Sequence, residues 1–373
     1  MKKIFILAFF MISFVATMVT YGMNKESNLI SVDRQNWMGY INDNVKLSML
    51  SIPGTHESMA TKGIIGYGVC QNSSLITQLN NGIRYLDIRC RANNKNNDNF
   101  DIYHGSIAQG TKFKENVLEP SIDYLKKHPK ETIFMRIKQE YSSISDNEFK
   151  FIFDNCIKKF PQNFFWNNPN EKNPTLGELR GKIVILYDVA GLNFGLSYSH
   201  RLTIQDYYKT SDSTTKLNYI KEFLEKSNSN IMDSNIYLNY LSAQGNIIET
   251  PANLSLVINP TVNQYLSEKI YLRTGFLAID FPSNDLVDSI IKVNNNLEKY
   301  INVINVPDAS LKAALNKTID SNRADDQNIT QLELESLKGQ LNLNSRKISN
   351  LEGMQYCTNI NELYLRDNNI SDL

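Results

Sequence analysis

Only four cysteines occur in 373 residues, at Cys70, Cys90, Cys156 and Cys357, and none stands at CxxC or CxxH spacing. That scatter argues against a zinc site, and a chain this long needs no disulfide frame to hold a core. Free thiols, or one incidental bridge, are expected. Net charge is also lacking: Lys+Arg and Asp+Glu both number 39, and the pI is near 6.9. A nucleic-acid binder held by bulk positive charge is therefore excluded, and attraction to an anionic membrane would have to come from local patches. Long apolar runs are missing beyond the first twenty-odd residues, so no later segment is expected to cross a bilayer. Histidine is scarce too, with only His56, His104, His128 and His200.

What is present begins with Lys2 and Lys3, followed by an apolar run from Ile4 to about Val19. This is the outline of a secretory signal peptide over residues 1–22, removed from a protein that works outside the cell; a retained anchor is the alternative. Hydrophobic residues make up 42% of the chain, enough for a large core. Strand candidates are 46–53, 83–89, 99–104, 132–138, 182–188, 236–242 and 276–281, nearly continuous in apolar content, as buried parallel strands are. Helical patterns fall at 112–128, 146–159, 213–227, 260–271 and 284–300. The alternation predicts an α/β fold, an irregular TIM-like (β/α) barrel over residues 33–300.

The character changes after Tyr300. Two short helical stretches lead into a 22-residue repeat in which Leu341 aligns with Leu363, Leu343 with Leu365, Ile348 with Ile370 and Leu351 with Leu373. That is leucine-rich-repeat spacing, and residues 303–373 are predicted to form a helical cap with partial repeats that could recruit a protein partner.

Two of the four histidines are predicted at strand ends. His56 sits in SIPGTHES, where Pro53-Gly54 is expected to terminate a strand, and His104 ends NFDIYHG. In a parallel barrel the carboxyl ends of the strands share one rim, so both imidazoles could face a common site. Asp87 and Arg89 are two apart in one strand and share a face. Asp280 closes FLAID and Lys138 closes FMRIK. Charged groups inside apolar runs are costly unless paired or functional. Two histidines can serve as base and acid in one turnover, an arginine between them can grip a phosphoryl group, and carboxylates behind the rings can fix the tautomers. The set suits cleavage of a phosphodiester by an internal hydroxyl, with no metal or other cofactor required.

The run LSIPGTHES, the segment GIRYLDIRCR, YHG, ETIFMRIKQEY, RGKIVIL and IQDYY, in that order, resemble the bacterial phosphatidylinositol-specific phospholipases C over roughly residues 33–300. The resemblance implies a distorted TIM barrel that releases inositol 1,2-cyclic phosphate and then hydrolyses it slowly to inositol 1-phosphate. It makes His56 the general base oriented by Asp280, His104 the general acid supported by Asp87, and Arg89 the phosphate ligand in a metal-independent site. It places Lys138, Asp206 and Tyr208 at the inositol ring. It also implies that apolar loop residues, here Ile64, Ile65, Tyr67, Ile247 and Ile248, enter the lipid surface, with membrane phosphatidylinositol as substrate and GPI-anchored proteins as further candidate partners. Two departures stand out. Glu57 replaces the aspartate that usually follows the base histidine, and no ring-binding arginine stands near Asp188 unless Arg201 serves. Two other functions compete: a metal-dependent glycerophosphodiester or sphingomyelin phosphodiesterase, which would want a carboxylate where Arg89 stands, and a non-catalytic adhesion protein built on the repeats.

Overall fold

The structure is a computed structural model that describes residues 32–371, apart from 64–67, 95, 97, 169, 230–232, 247 and 298–301. The leader, Ile64, Ile65, Tyr67 and Ile247 lie outside the described residues. The chain divides into two units, Met1–Asp33 and Arg34–Leu373, and the second contains the whole sheet and the C-terminal tail. No helix among the described residues is long and apolar enough to cross a membrane.

Eleven strands form one sheet: β1 (Ser51–Thr55), β2 (Tyr85–Arg91), β3 (Asp101–His104), β4 (Ile107–Lys112), β5 (Ile133–Gln139), β6 (Phe165–Trp166), β7 (Ile183–Asp188), β8 (Leu196–Ser197), β9 (Leu202–Gln205), β10 (Ile236–Tyr240) and β11 (Gly275–Ile279). The order is β6-β7-β5-β2-β1-β11-β10-β9, all parallel, with β8 beside β7 and β3–β4 hung on β2. β5 and β10 are four strand positions apart, about 19 Å in a flat sheet. Yet Arg136 on β5 donates to the Tyr240 hydroxyl on β10 at 2.7 Å. The sheet therefore curls until its middle strands face each other, and the TIM-like expectation holds, although β6 and β9 do not meet among the described residues to close it.

Amphipathic helices cover the convex side. Ser213–Ser229 contributes Leu217, Ile220 and Leu224, Pro251–Glu268 contributes Leu254, Ile258, Val262 and Leu266, and Asn284–Val293 contributes Leu286 and Ile290; all pack with Leu277 and Ile279 of β11. The i, i+3/i+4 spacing of these residues is the helical face that the sequence pattern exposes. The helix expected from residue 260 begins at Pro251, because Thr250 accepts a capping bond from Asn253 N–H and Pro260 is carried inside the helix.

Three strand expectations change. Residues Leu47–Met49 form a 3-10 turn, and β1 runs Ser51–Thr55, so Pro53-Gly54 lies within a strand rather than ending it. A Cβ at Gly54 would sit 2.6 Å from the Tyr85 side chain, so only glycine lets β1 pass β2 there. The 99–104 segment is not a parallel barrel strand: β3 runs antiparallel to β2 and turns back as β4. β4, β6, β8 and β9 are short or polar enough to have carried no strand signal.

The tail builds its own core from Ile304, Leu311, Leu315, Ile329, Leu334, Leu341, Leu343 and Ile348. Its strands β12 (Val303–Ile304) and β13 (Ile329–Thr330) pair antiparallel. Strands β14 (Gly339–Asn342) and β15 (Ile360–Tyr364) pair in parallel with Leu341 opposite Leu363, the 22-residue offset of the sequence repeat. The Asn368 side chain donates to the Leu343 and Leu365 carbonyls at 2.8 Å each and ties the two units together.

Candidate active site

His56 follows β1 directly, its N–H bonded to the Ile279 carbonyl and its own carbonyl accepting from Gln71 Nε2 at 2.7 Å. Gln71 also donates to the Ile279 carbonyl, so it staples the ends of β1 and β11 together. The ring is fixed on two sides. Nδ1 lies 2.8 Å from Asp280 Oδ1, and Tyr240 packs edge-on with centroids 5.8 Å apart. Nε2 points the other way, 3.3 Å from a terminal nitrogen of Arg89. With Asp280 taking the Nδ1 proton, Nε2 is the atom free to accept one.

Arg89 lies at the centre. Its guanidinium is 2.6 Å from Glu57, 3.4 Å from Asp87 and 3.6 Å from Glu140. Lys138, half-buried, reaches Glu140 at 2.9 Å. His104, carried by the β3–β4 hairpin, turns Nδ1 to Glu57 Oε2 at 2.7 Å. The expectation that Asp87 stands behind His104 is therefore corrected. Glu57 is the carboxylate there, and Asp87 lies deeper, accepting from Glu57 N–H and paired with Arg89 and Arg136. The reason is backbone conformation: Glu57 has φ +40°, a left-handed kink that swings its side chain away from His56's partner and towards the hairpin.

Arg136 carried no weight in the sequence analysis, although its spacing held the signal. Arg136 and Lys138 alternate on one face of β5, as Asp87 and Arg89 do on β2, with Glu140 just past the end of β5. The Arg136 guanidinium donates to Asp188 at 2.6 Å and to Tyr240 at 2.7 Å, approaches Asp87 at 3.3 Å, and lies over the Tyr198 ring at 4.1 Å. Arg136, not Arg201, is therefore the arginine beside Asp188. Lys138 and Asp188 line a polar cleft of about 460 Å3. Asp206 and Tyr208 follow β9 on an exposed loop, which starts beside Tyr240 because Gln205 Nε2 donates to the Tyr240 carbonyl at 3.1 Å. Ile248 is 73% exposed. His128 bonds Asn36 and stacks on Tyr124, and His200 bonds Ser197, both away from this cluster. Trp166 is buried in β6, and the four cysteines are free and buried.

Electrostatics follow from this crowding. Burial pulls the His56 imidazole down, but the charge and hydrogen bond of Asp280, helped by Glu57, more than offset it, and its pKa is raised. Burial would raise Glu57, yet Arg89 and His104 hold its carboxyl below the usual range. Asp87 is likewise buried and held strongly ionised by Arg136 and Arg89. The cluster thus favours charged carboxylates at Glu57 and Asp87 and raises the basicity of His56. His56, Cys70 and Asp280 are the one group among the described residues whose ligand atoms gather as a metal site would, within 4.8 Å. Burial pushes the Cys70 thiol well up, and Asp280 is engaged with His56.

Residues 46–188 match the family "Phosphatidylinositol-specific phospholipase C, X domain". A 1-phosphatidylinositol phosphodiesterase of Listeria monocytogenes is 33% identical over 315 residues, covering 78% of this chain and 94% of that protein. The chain belongs to the bacterial phosphatidylinositol-specific phospholipases C. The Staphylococcus aureus 1-phosphatidylinositol phosphodiesterase is 28% identical over 334 residues, 79% of this chain and all of that one. The solved Listeria enzyme superposes with TM-score 0.62 at 32% identity, covering 70% of this chain and 99% of that one. A variant of the Staphylococcus enzyme gives TM-score 0.63 at 26% identity, covering 72% and 99%. These matches cover 70–79% of this chain and nearly the whole of each relative.

Proposed function

We propose that the protein cleaves phosphatidylinositol to diacylglycerol and inositol 1,2-cyclic phosphate, with His56 as general base and His104 as general acid. The observation that carries this reading is the guanidinium of Arg89 standing beside His56 Nε2 while Glu57 joins it to His104. His56 Nε2 takes the proton of the inositol 2-hydroxyl. That oxygen attacks phosphorus, Arg89 offsets the charge gathering on the phosphoryl oxygens, and the bond to the diacylglycerol oxygen breaks as His104 Nε2 supplies its proton. Slow hydrolysis to inositol 1-phosphate runs with the two histidines exchanging roles. On this reading Lys138, Asp206 and Tyr208 contact the inositol ring, and the polar cleft lined by Lys138 and Asp188 supports room for it there. The position that a metal-dependent phosphodiesterase would give to a ligand carboxylate is occupied by Arg89, which favours the metal-independent reading.

Phosphorus NMR of products from phosphatidylinositol, taken in excess EDTA, tests this. Cyclic phosphate should appear before the monophosphate, and His56→Ala and His104→Ala should each abolish it while His128→Ala leaves it nearly intact. Loss of all turnover with chelator, or an active His104→Ala enzyme, overturns the assignment.

The leader composition supports an extracellular protein, which fractionation of the native host would check. Ile248, and Leu256 at 74% exposure on the following helix, support docking on a lipid surface. Polar substitutions there should weaken vesicle binding more than turnover of dispersed substrate. GPI-anchored proteins remain candidate substrates on the same chemistry. The 22-residue strand offset supports the repeat reading of the tail.

A further inference from the structure

Lys216 is fully buried, in the first turn of the helix Ser213–Ser229, and no carboxylate of the described residues lies within ion-pair distance of it. An amine in such a place loses its hydration without the return of a close counter-charge, and a methionine of similar length would fill the space at lower cost. What the amine does there is shown by its hydrogen bonds. Nζ donates to the Tyr207 carbonyl at 2.8 Å and approaches Gln205 Oε1 at 3.5 Å. The same Gln205 Oε1 accepts from Tyr207 N–H at 2.6 Å, so the backbone of Tyr207 is held at both its polar groups. The Tyr207 ring stacks on Tyr219 of the helix that carries Lys216, with centroids 4.4 Å apart. On the far side the Tyr208 carbonyl accepts from Gln244 N–H at 2.8 Å. The backbone of Tyr207 is thus held at both ends, in the middle of an exposed stretch in which Asp206, Tyr207 and Tyr208 all reach solvent.

We propose that Lys216 is a positioning residue of the headgroup site: its buried ammonium fixes the Tyr207 backbone so that Asp206 and Tyr208 are presented to the polyol ring of the substrate. This rests on the reading of Asp206 and Tyr208 as ring contacts. Burial pushes the amine down to about 8, and the carboxylates of Asp206 and Asp280 act in the opposite direction, so the charge senses both the ring-binding loop and the partner of the base.

The test uses the full chain with a water-soluble short-chain phosphatidylinositol, so that lipid packing plays no part. Lys216→Met should raise KM at least roughly tenfold while kcat stays within about threefold, because the loop is misplaced and the two histidines are not. Melting temperature should rise, since an unpaired buried charge has been removed. Lys216→Arg should recover part of the KM loss. A scaffold role predicts the opposite sign in stability, so a Lys216→Met enzyme that melts lower with unchanged KM overturns the proposal. Asp206→Asn separates the two layers of inference. If it too leaves KM unchanged, the ring-contact reading has failed; if it raises KM and Lys216→Met does not, the lysine assignment alone has failed.

Discussion

Glu57 Oε2 lies 2.7 Å from His104 Nδ1, so the carboxylate adjacent in sequence to the candidate base serves the candidate acid. Its other oxygen holds Arg89 at 2.6 Å. A single side chain therefore sets the distance between the proton donor and the phosphate ligand. Glu57→Gln keeps the size and removes the charge; kcat should fall roughly a hundredfold or more, and the melting temperature should fall as well, because the buried Arg89 and His104 lose a shared carboxylate. Glu57→Asp keeps the charge and suits φ +40° better, because aspartate tolerates left-handed backbone more readily than glutamate. That variant should melt no lower than the parent and retain most activity, as steady-state assays with thermal melts would show.

The pH profile should carry the mark of Asp280. As the base, His56 must be neutral to take a proton, so kcat/KM should climb as pH rises through its pKa. Asp280 raises that pKa against the downward pull of burial. With Asp280→Asn the upward contribution is gone and burial dominates, so the acidic limb should move to lower pH while the plateau rate falls. A limb that stays in place would assign the titration to another group.

Arg136 binds two carboxylates from opposite directions, the fully buried Asp87 and the cleft-facing Asp188. Arg136→Met would leave Asp87 with Arg89 as its remaining cation in a site that water does not reach. The expected loss is about 3–5 kcal/mol of unfolding free energy, read by urea denaturation. Arg136→Lys should lose less, since a point charge can satisfy one carboxylate but not the fork between them.

How much of this was legible beforehand depended on whether the signal was local. Asp87 and Arg89 announced a shared face by two-residue spacing in an apolar strand, and β5, β7, β10 and β11 were readable from unbroken runs of buried residues. The hairpin β3–β4 was not, because NFDIYH carries the same composition whichever way a strand runs, and its antiparallel pairing is decided by the turn at Gly105. The partner of His104 was hidden for a similar reason: a positive φ at Glu57 re-aims a side chain without leaving any trace in residue type. The pairing of Arg136 gave no local signal because its partners, Asp87, Asp188 and Tyr240, come from three other strands. The burial of Lys216 left no trace in the helix pattern, because the β9 loop that covers it is set by tertiary packing.

The hairpin that carries His104 has a further consequence. His56 is held by parallel pairing on both sides of β1, whereas among the described residues β3 meets β2 at two pairs, Cys90–Ile102 and Arg91–Asp101. The donor and acceptor of a single proton relay thus hang from supports of unequal stiffness. On warming, the leaving-group side should come adrift first, and the enzyme should fall silent at a temperature where its barrel is still whole.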